Sequence, residues 1–567
     1  MLQIATGKLF TRAAERINAL RGVLHTNLWL HADGPIETAA GRLLSTSVLG
    51  GTAPLVFEMS EQIEAPESGE GVLISHGVDS YLVDFAALVS FKLNVICAPD
   101  FELVTRLTSG RRGLAAAAAP SDLVKRCFDQ RVFCLEEEAS VLKGFIADLI
   151  GLERKSFLAA MRAIRTYVTG LHRMGDDLDL AYTLFVAALE SLAQGFDGHQ
   201  GQWEDYEDAK RARIDLALAA ADADTTAKVR AAVLENEYVK LAHRFRSFTL
   251  AHIASSFFRE QASGVDYPAS KYELPDALRM AYEMRSRYVH NLAELPRQLT
   301  IRGTAHEIVR WDGRSMLSFA GLTRLARHVI GEFIARQPKL EKEVYDYSLE
   351  RAGIVQLPIA EQYWVHNVES LTATNIAERL EAFLNQLALA VFDKSAGVTD
   401  IRTVLERAAT LAPQMAPAKR RAFVALHVLV NCLAAEEQQM PGWKAVVEKY
   451  GPDLNAPSVE GALVRLFRPA ADWPIDEHKD MLEQHAARRL RNKGLRVHKV
   501  FEAALWLTLA ERQRGQGNEM DARTSIAMAV EALPGRQKLR ALEEEFNINT
   551  PIDWRDLLVP VQSEASA

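Results

Sequence analysis

The sequence predicts a mostly α fold in three parts: an N-terminal α+β module (1–135), a central helical bundle (136–338) and a C-terminal α-helical region (339–567). Three observations predict it. Short apolar runs punctuated by turn residues are confined to the first part. Apolar residues recur at helical spacing through almost all of the rest. Near the end, two consecutive helical segments carry the spacing of a repeated helix–turn–helix. At 567 residues the chain also exceeds one hydrophobic core, since domains average ~150 residues.

In the first part, residues 20–30 are rich in branched and large apolar side chains (Val23, Leu24, Leu28, Trp29, Leu30), and 43–49 and 55–59 are similar runs. Gly34-Pro35, Gly50-Gly51 and residues 66–71 separate them as turns. Helices are expected over 81–93 and 101–128. In the second part, Leu142, Phe145, Ile146, Leu149 and Ile150 share one helical face, as do Phe157, Met161, Ile164 and Val168. Residues 177–193 (DLDLAYTLFVAALESLA) are apolar enough to form a central buried helix, with Glu190 as its one anomaly. A long charged helical stretch is expected over 204–258. Residues 274–292 form another helix, Pro275 suiting its first turn, and 321–334 one more.

In the third part, Trp506, Leu509 and Ala510, then Ala522, Ile526, Ala529 and Pro534, fall at the spacing of a tetratricopeptide (TPR) unit, with Gln513 where a tyrosine is usual. A weaker echo ends at Leu405, Ala408 and Pro413. An irregular helical bundle is the alternative, because one good unit lacks the neighbours that bury a solenoid's faces. The tail 561–567 is expected to be disordered.

Composition excludes several classes. Hydrophobic content of 48% and charged content of 25% are those of a globular chain. A net charge of -8 gives no general attraction to nucleic acid or anionic membranes, so any RNA contact must be local. The densest basic run is Arg488, Arg489, Arg491, Lys493, Arg496, His498 and Lys499, which is as suited to a solvated face as to RNA. Cys97, Cys127, Cys134 and Cys432 have no CxxC spacing, which argues against a zinc ribbon or a disulfide framework. No signal peptide or membrane-length apolar run is evident, and a cytoplasmic protein is expected. HExxH, GxxxxGK[ST], strand-linked GxGxxG and GxSxG are all lacking, so no motif supports a metal or a cofactor.

The chemistry centres on Arg285 and His290, an arginine and a histidine with four residues between them. Spacings of four to six intervening residues are common, and Arg165/His172, Arg246/His252 and Arg491/His498 are decoys. The context of Arg285 and His290 resembles the Apea-like branch of the HEPN superfamily at three ordered places. The helix DLDLAYTLFVAALESLA is similar to the family's early apolar helix with its glutamate, here Glu190. LRMAYEMRSRYVHN (278–291) is similar to the motif helix, and GLTRLARHVIGEFI (321–334) to the helix that closes the bundle. The likeness spans about a third of the chain. It departs at Asn291, where glycine is frequent, and at Ser286, where many active members carry Asn, Asp or His.

The resemblance implies a metal-independent endoribonuclease that leaves 2′,3′-cyclic phosphate ends, of the kind used in bacterial toxin or anti-phage systems. The residue types fit that chemistry. Histidine as a residue type suits general acid or base work, the role expected of His290; Arg285 is expected to fork onto two phosphate oxygens; and the 2′-hydroxyl of RNA is the nucleophile. Residues five apart on a helix lie about 140° round and about 7.5 Å along the axis. A single copy therefore gives a sparse site, and the family's habit of pairing two domains implies a homodimer.

Ser286 and Asn291 are supporting candidates; Arg287 and Tyr288 are weaker candidates for contacts with phosphate and base. Structural roles stand beside these: His290 complementing the helix dipole, Arg285 pairing with Glu190, Arg287 in solvent and Tyr288 in the core. The alternative function is a non-catalytic binding or scaffold protein whose C-terminal helices recruit a protein partner.

Overall fold

The β signal of the first part resolves into a five-stranded antiparallel sheet and a separate two-stranded parallel pair. The computed structural model describes the chain except residues 31–33, 47–52, 66–76, 114–117, 197–202, 204–207, 237–240, 301–305, 351–358, 393–395, 469–471 and 560–567. Part of the 43–49 run, most of the alanine run 115–119 and the tail 561–567 thus lie outside the described residues. The described chain is mostly helical.

After a short helix α1 (Leu2–Ala5), strands β1 (Ala14–Thr26), β2 (Leu28–Leu30), β3 (Ile36–Thr38), β4 (Gly41–Ser45) and β5 (Ala53–Glu64) follow. Helix α2 (Asp79–Leu93) and β6 (Cys97–Ala98) come next, and the sheet order is β3-β4-β5-β1-β6. Strands β1 and β5 pair antiparallel, with Gly22 opposite Phe57 and Leu24 opposite Leu55. Alternation buries Leu24, Leu55 and Phe57 on one face. Helix α2 lies on that face, with Phe85 stacked on Phe57 at 4.2 Å between ring centroids.

The helix expected over 101–128 is broken. It is replaced by α3 (Phe101–Thr108) and the single turn α4 (Pro120–Leu123), followed by β7 (Val132–Cys134), which pairs parallel with β2. Gly110 at φ +67° ends the first piece, and Pro120 has no N–H with which to continue it.

The central bundle contains α5 (Glu136–Gly151), α6 (Arg154–Arg173), α7 (Leu178–Phe196), α8 (Asp208–Ala217), α9 (Ala223–Asn236), α10 (Leu241–Ala251), α11 (Leu274–Asn291), α12 (Arg297–Thr300) and α13 (Phe319–Arg336). The stretch 204–258 is therefore not one rod: among the described residues it breaks between Ala217 and Ala223 and ends in a 3₁₀ turn (Ser255–Phe258). Helix α7 is the central one, packed by α6, α10, α11 and α13. Its Tyr182 is fully buried and donates its hydroxyl to the Leu317 carbonyl at 3.0 Å.

One β element breaks the expected helical run: the hairpin β8 (Ile308–Trp311) and β9 (Arg314–Leu317). Its turn is Asp312-Gly313, both at positive φ, as the right-handed twist of a two-residue hairpin requires.

The division at 135/136 is not a boundary in the structure. Residues 1–356 form one compact unit, and 357–567 form another. One core runs from Leu2 through Phe85, Phe157 and Phe185 to Ile334. The N-terminal segment is tied to the bundle by polar contacts. Lys8 donates from Nζ to the carbonyls of Ile150 (3.0 Å), Gly151 (2.7 Å) and Leu152 (2.5 Å) at the open end of α5. Gln3 donates to Ile150 and Leu152 as well, and accepts from Arg154. Arg154 in turn bonds Glu350 at 3.0 Å, which carries the unit past residue 338.

The second unit is helical: α14 (Ile376–Phe392), α15 (Arg402–Leu411), α16 (Pro417–Leu433), α17 (Trp443–Tyr450), α18 (Val459–Phe467), α19 (Ile475–Arg489), α20 (Lys499–Gly515), α21 (Glu519–Ala532), α22 (Gln537–Glu545) and α23 (Trp554–Leu558). The expected hairpin is α20 and α21, with Trp506, Leu509, Ala510, Ala522, Ile526 and Ala529 all buried. Gln513, the residue in the tyrosine position, accepts a 2.7 Å hydrogen bond from Ser525 across the pair.

Candidate active site

Helices α7 and α11 run antiparallel, so the start of α7 lies beside the end of α11. Apolar residues Leu278, Ala281 and Met284 bury one face of α11, and this sets where its polar residues point. Arg285 turns inward. Its Nη2 lies 2.6 Å from the Glu190 carboxylate of α7, with the arginine side chain 22% exposed and the glutamate 4%. Tyr282, one turn earlier, donates its hydroxyl to the same carboxylate at 3.3 Å. Its own ionisation is pushed up to about 12 by burial and by the Glu190 charge. The ion pair expected between Arg285 and Glu190 is present, and the apolar setting of α7 leaves that carboxylate no other cation among the described residues.

His290 sits on the last turn of α11 and faces solvent. It has no hydrogen bond or ion pair among the described residues. Five residues of helix turn Arg285 and His290 about 140° apart, and Arg285 is engaged by Glu190 instead. Arg287 is exposed, 3.7 Å from Glu283. Tyr288 is half-buried and donates to Asp177 at 3.4 Å. Ser286 is half-buried, and Asn291 is exposed.

Two features of this end of α11 went unnoticed in the sequence. The first is acidic. Asp177 caps α7 through the Leu180 N–H, and Asp179 accepts from the Leu295 N–H at 2.5 Å. Burial, opposed by that hydrogen bond and reinforced by Asp177 and Glu294, holds the Asp179 carboxyl above its usual range. The "DLD" opening of the α7 segment was the available signal, and helix N-capping accounts for Asp177 alone. The second feature is apolar. Val289 and Leu292 flank His290 and are 50% and 75% exposed. Leu292 also caps the helix in the left-handed conformation, at φ +51°.

Among the described residues no group of His, Cys, Asp or Glu is arranged to hold a metal ion, and no helix is long and apolar enough to cross a membrane. The basic run of the second unit is drawn partly into structure: Arg489 pairs with Glu502 at 2.9 Å, while the Arg496 N–H is bound by Glu381. No family model, curated protein or solved structure matches the chain.

Proposed function

We propose that the α7–α11–α13 bundle is a HEPN-type domain and that two copies of the chain form a metal-independent endoribonuclease in which Arg285 and His290 of both copies act on RNA. The observation that carries this reading is the state of the pair in one chain. Arg285 is oriented by the buried Glu190 carboxylate, and His290 stands exposed on the same helix between two exposed apolar side chains. An arginine held by a buried carboxylate is positioned as catalytic arginines are, through a supporting partner that fixes the fork. A solvent-facing imidazole supplies proton transfer once a second copy brings its own pair across the seam. In this reading the helical second unit, with its TPR-like hairpin α20–α21, recruits a protein partner, and the setting is a cytoplasmic toxin or anti-phage system.

A second reading, a non-catalytic HEPN/TPR-like scaffold, is favoured by one observation. Asp177, Asp179 and Glu294 crowd the end of α11 with negative charge, which opposes a phosphodiester there.

RNA cleavage in EDTA separates the two. Wild type is compared with His290→Ala, Arg285→Lys and Glu190→Gln, with folding checked by circular dichroism. The nuclease reading expects 2′,3′-cyclic phosphate ends from wild type and loss of at least a hundredfold in His290→Ala. Cleavage unchanged by His290→Ala, or no cleavage by a dimeric wild type on structured and unstructured RNAs, leaves the scaffold.

A further inference from the structure

On another part of the first unit, a cavity of about 550 Å³ opens between α2, α5 and α13. Its walls include Phe91, Val141, Phe145 and Ile334, and its charged lining includes Lys92, Asp148, Arg324, Arg327 and Glu332. Most charges of this neighbourhood are already matched. Arg324 is forked onto Glu307 at 2.5 and 2.7 Å and donates to the Phe257 carbonyl at 2.9 Å. Arg336 holds Glu332 at 3.2 Å, and Lys125 faces Asp266 at 3.4 Å.

Lys92 and Arg327 are the exceptions. Both are half-buried, and neither has a hydrogen bond or an ion pair among the described residues. The Lys92 ammonium lies over the Phe145 ring at 5.1 Å, and Asp148 stays exposed without pairing to either cation. Arg327 also lines the adjoining cavity of about 220 Å³, so it stands between two hollows. Burial, then the nearby Arg327 charge, lowers the Lys92 ammonium from its ordinary range, and the Asp148 carboxylate opposes them only in part. Two cations left together in a half-buried cavity are an unfavourable arrangement in the free protein. A dianion relieves it: the guanidinium fork takes two oxygens, and the ammonium takes a third. The cavity lies within the range of about 300–1,000 Å³ typical of small-molecule sites, and its aromatic walls leave room for an organic group.

We propose that this cavity binds a phosphate-bearing small molecule, with Lys92 and Arg327 holding the phosphate. The site shares no residue with the Arg285–His290 pair and stands whichever way the cleavage assay falls.

The test is isothermal titration calorimetry of the full chain with inorganic pyrophosphate and, separately, phenyl phosphate, in matched salt. Saturable binding of at least one is expected, weakened at least tenfold in Arg327→Gln and in Lys92→Met. Pyrophosphate alone binding identifies an inorganic or terminal polyphosphate ligand; phenyl phosphate alone identifies an ester whose organic part the aromatic wall reads. A second readout guards against misfolding. Lys92→Met raises the melting temperature without anion, while added pyrophosphate raises that of wild type only. Failure of both anions to saturate wild type overturns the proposal, as does undiminished binding by a folded Arg327→Gln variant.

Discussion

Arg285 and Glu190 form an ion pair at 2.6 Å across α7 and α11, and the carboxylate has almost no access to water. Removing one partner strands the other. Arg285→Ala is expected to destabilise the first unit by about 3–5 kcal/mol, because a buried carboxylate is left unpaired. Replacing both, as in Glu190→Leu with Arg285→Met, is expected to recover most of that loss. Urea unfolding of the two singles and the double checks it. Equal stability of Arg285→Ala and wild type would show that the pair contributes nothing. The same argument makes Arg285→Ala a poor probe of catalysis, since lost activity then reports lost structure.

Lys8 makes a smaller contribution at the other end of the unit. Its ammonium serves three carbonyls at the C-terminus of α5, where the helix dipole is negative. Lys8→Met removes one donor from each carbonyl but leaves another in place, Gln3 on Ile150 and Leu152 and the Leu340 N–H on Gly151, and is expected to cost about 1 kcal/mol. Proteolysis between the N-terminal segment and the bundle should accelerate with it. Unchanged urea midpoints and cleavage rates would show that the Gln3 contacts and the apolar core join the two parts without Lys8.

Much of this architecture was legible in the sequence, and the misses have physical causes. Helices α7, α11 and α13 follow directly from apolar periodicity, because each buries a single face or its whole surface. The buried pairing of Arg285 followed from a lone glutamate among alanines and leucines. The union of residues 1–135 with the bundle did not follow, since it depends on Lys8 reaching 142 or more positions along the chain. The hairpin β8–β9 was signalled by Asp312-Gly313 between IVRW and RSML, but its strands are only four residues each. Nothing in a linear reading places Asp179 against Leu295, so the acidic rim beside His290 emerges only from the fold.

A pH dependence follows from His328. It accepts from the Ala254 N–H at Nε2 and donates from Nδ1 to Gln261, both at 2.9 Å, so the neutral ring is built into the core. Burial lowers its pKa from the ordinary 6.5 to about 4. At this ring the unfolded chain therefore binds one more proton than the folded chain between these values, as it also does at His172 and His478. The His328 contribution to stability is full above pH 6.5 and is lost as the pH falls toward 4, by at most about 3 kcal/mol. His328→Gln should make this slope shallower, measured as urea midpoints at pH 7, 6 and 5. A slope as steep as that of wild type would assign the loss to other groups.

Gln513 and Ser525 show how the second unit tolerates a polar residue where an aromatic one is usual. Both side chains are buried, and each satisfies the other across α20 and α21. Ser525→Ala is expected to cost about 1–3 kcal/mol by orphaning the amide oxygen, whereas Gln513→Met with Ser525→Ala is expected to be close to neutral. Differential scanning calorimetry decides between this and a hydrogen bond of no consequence, for which the single and the double behave alike.

Leu292 joins backbone strain to surface chemistry beside His290. A leucine at φ +51° bears a penalty of about 1 kcal/mol that glycine escapes, and its exposed side chain returns little in an isolated chain. Leu292→Gly is therefore expected to raise the stability of the monomer by about 0.5–1 kcal/mol. If a second copy covers this patch, the same change removes apolar area from the seam and weakens the dimer at least tenfold. The two effects have opposite signs, so misfolding cannot imitate their combination. Urea unfolding at low concentration measures the first, and sedimentation equilibrium over a range of concentrations measures the second. A stabilised variant that dimerises as well as wild type would place the seam elsewhere, and with it would go the composite site in which two histidines face one cleft.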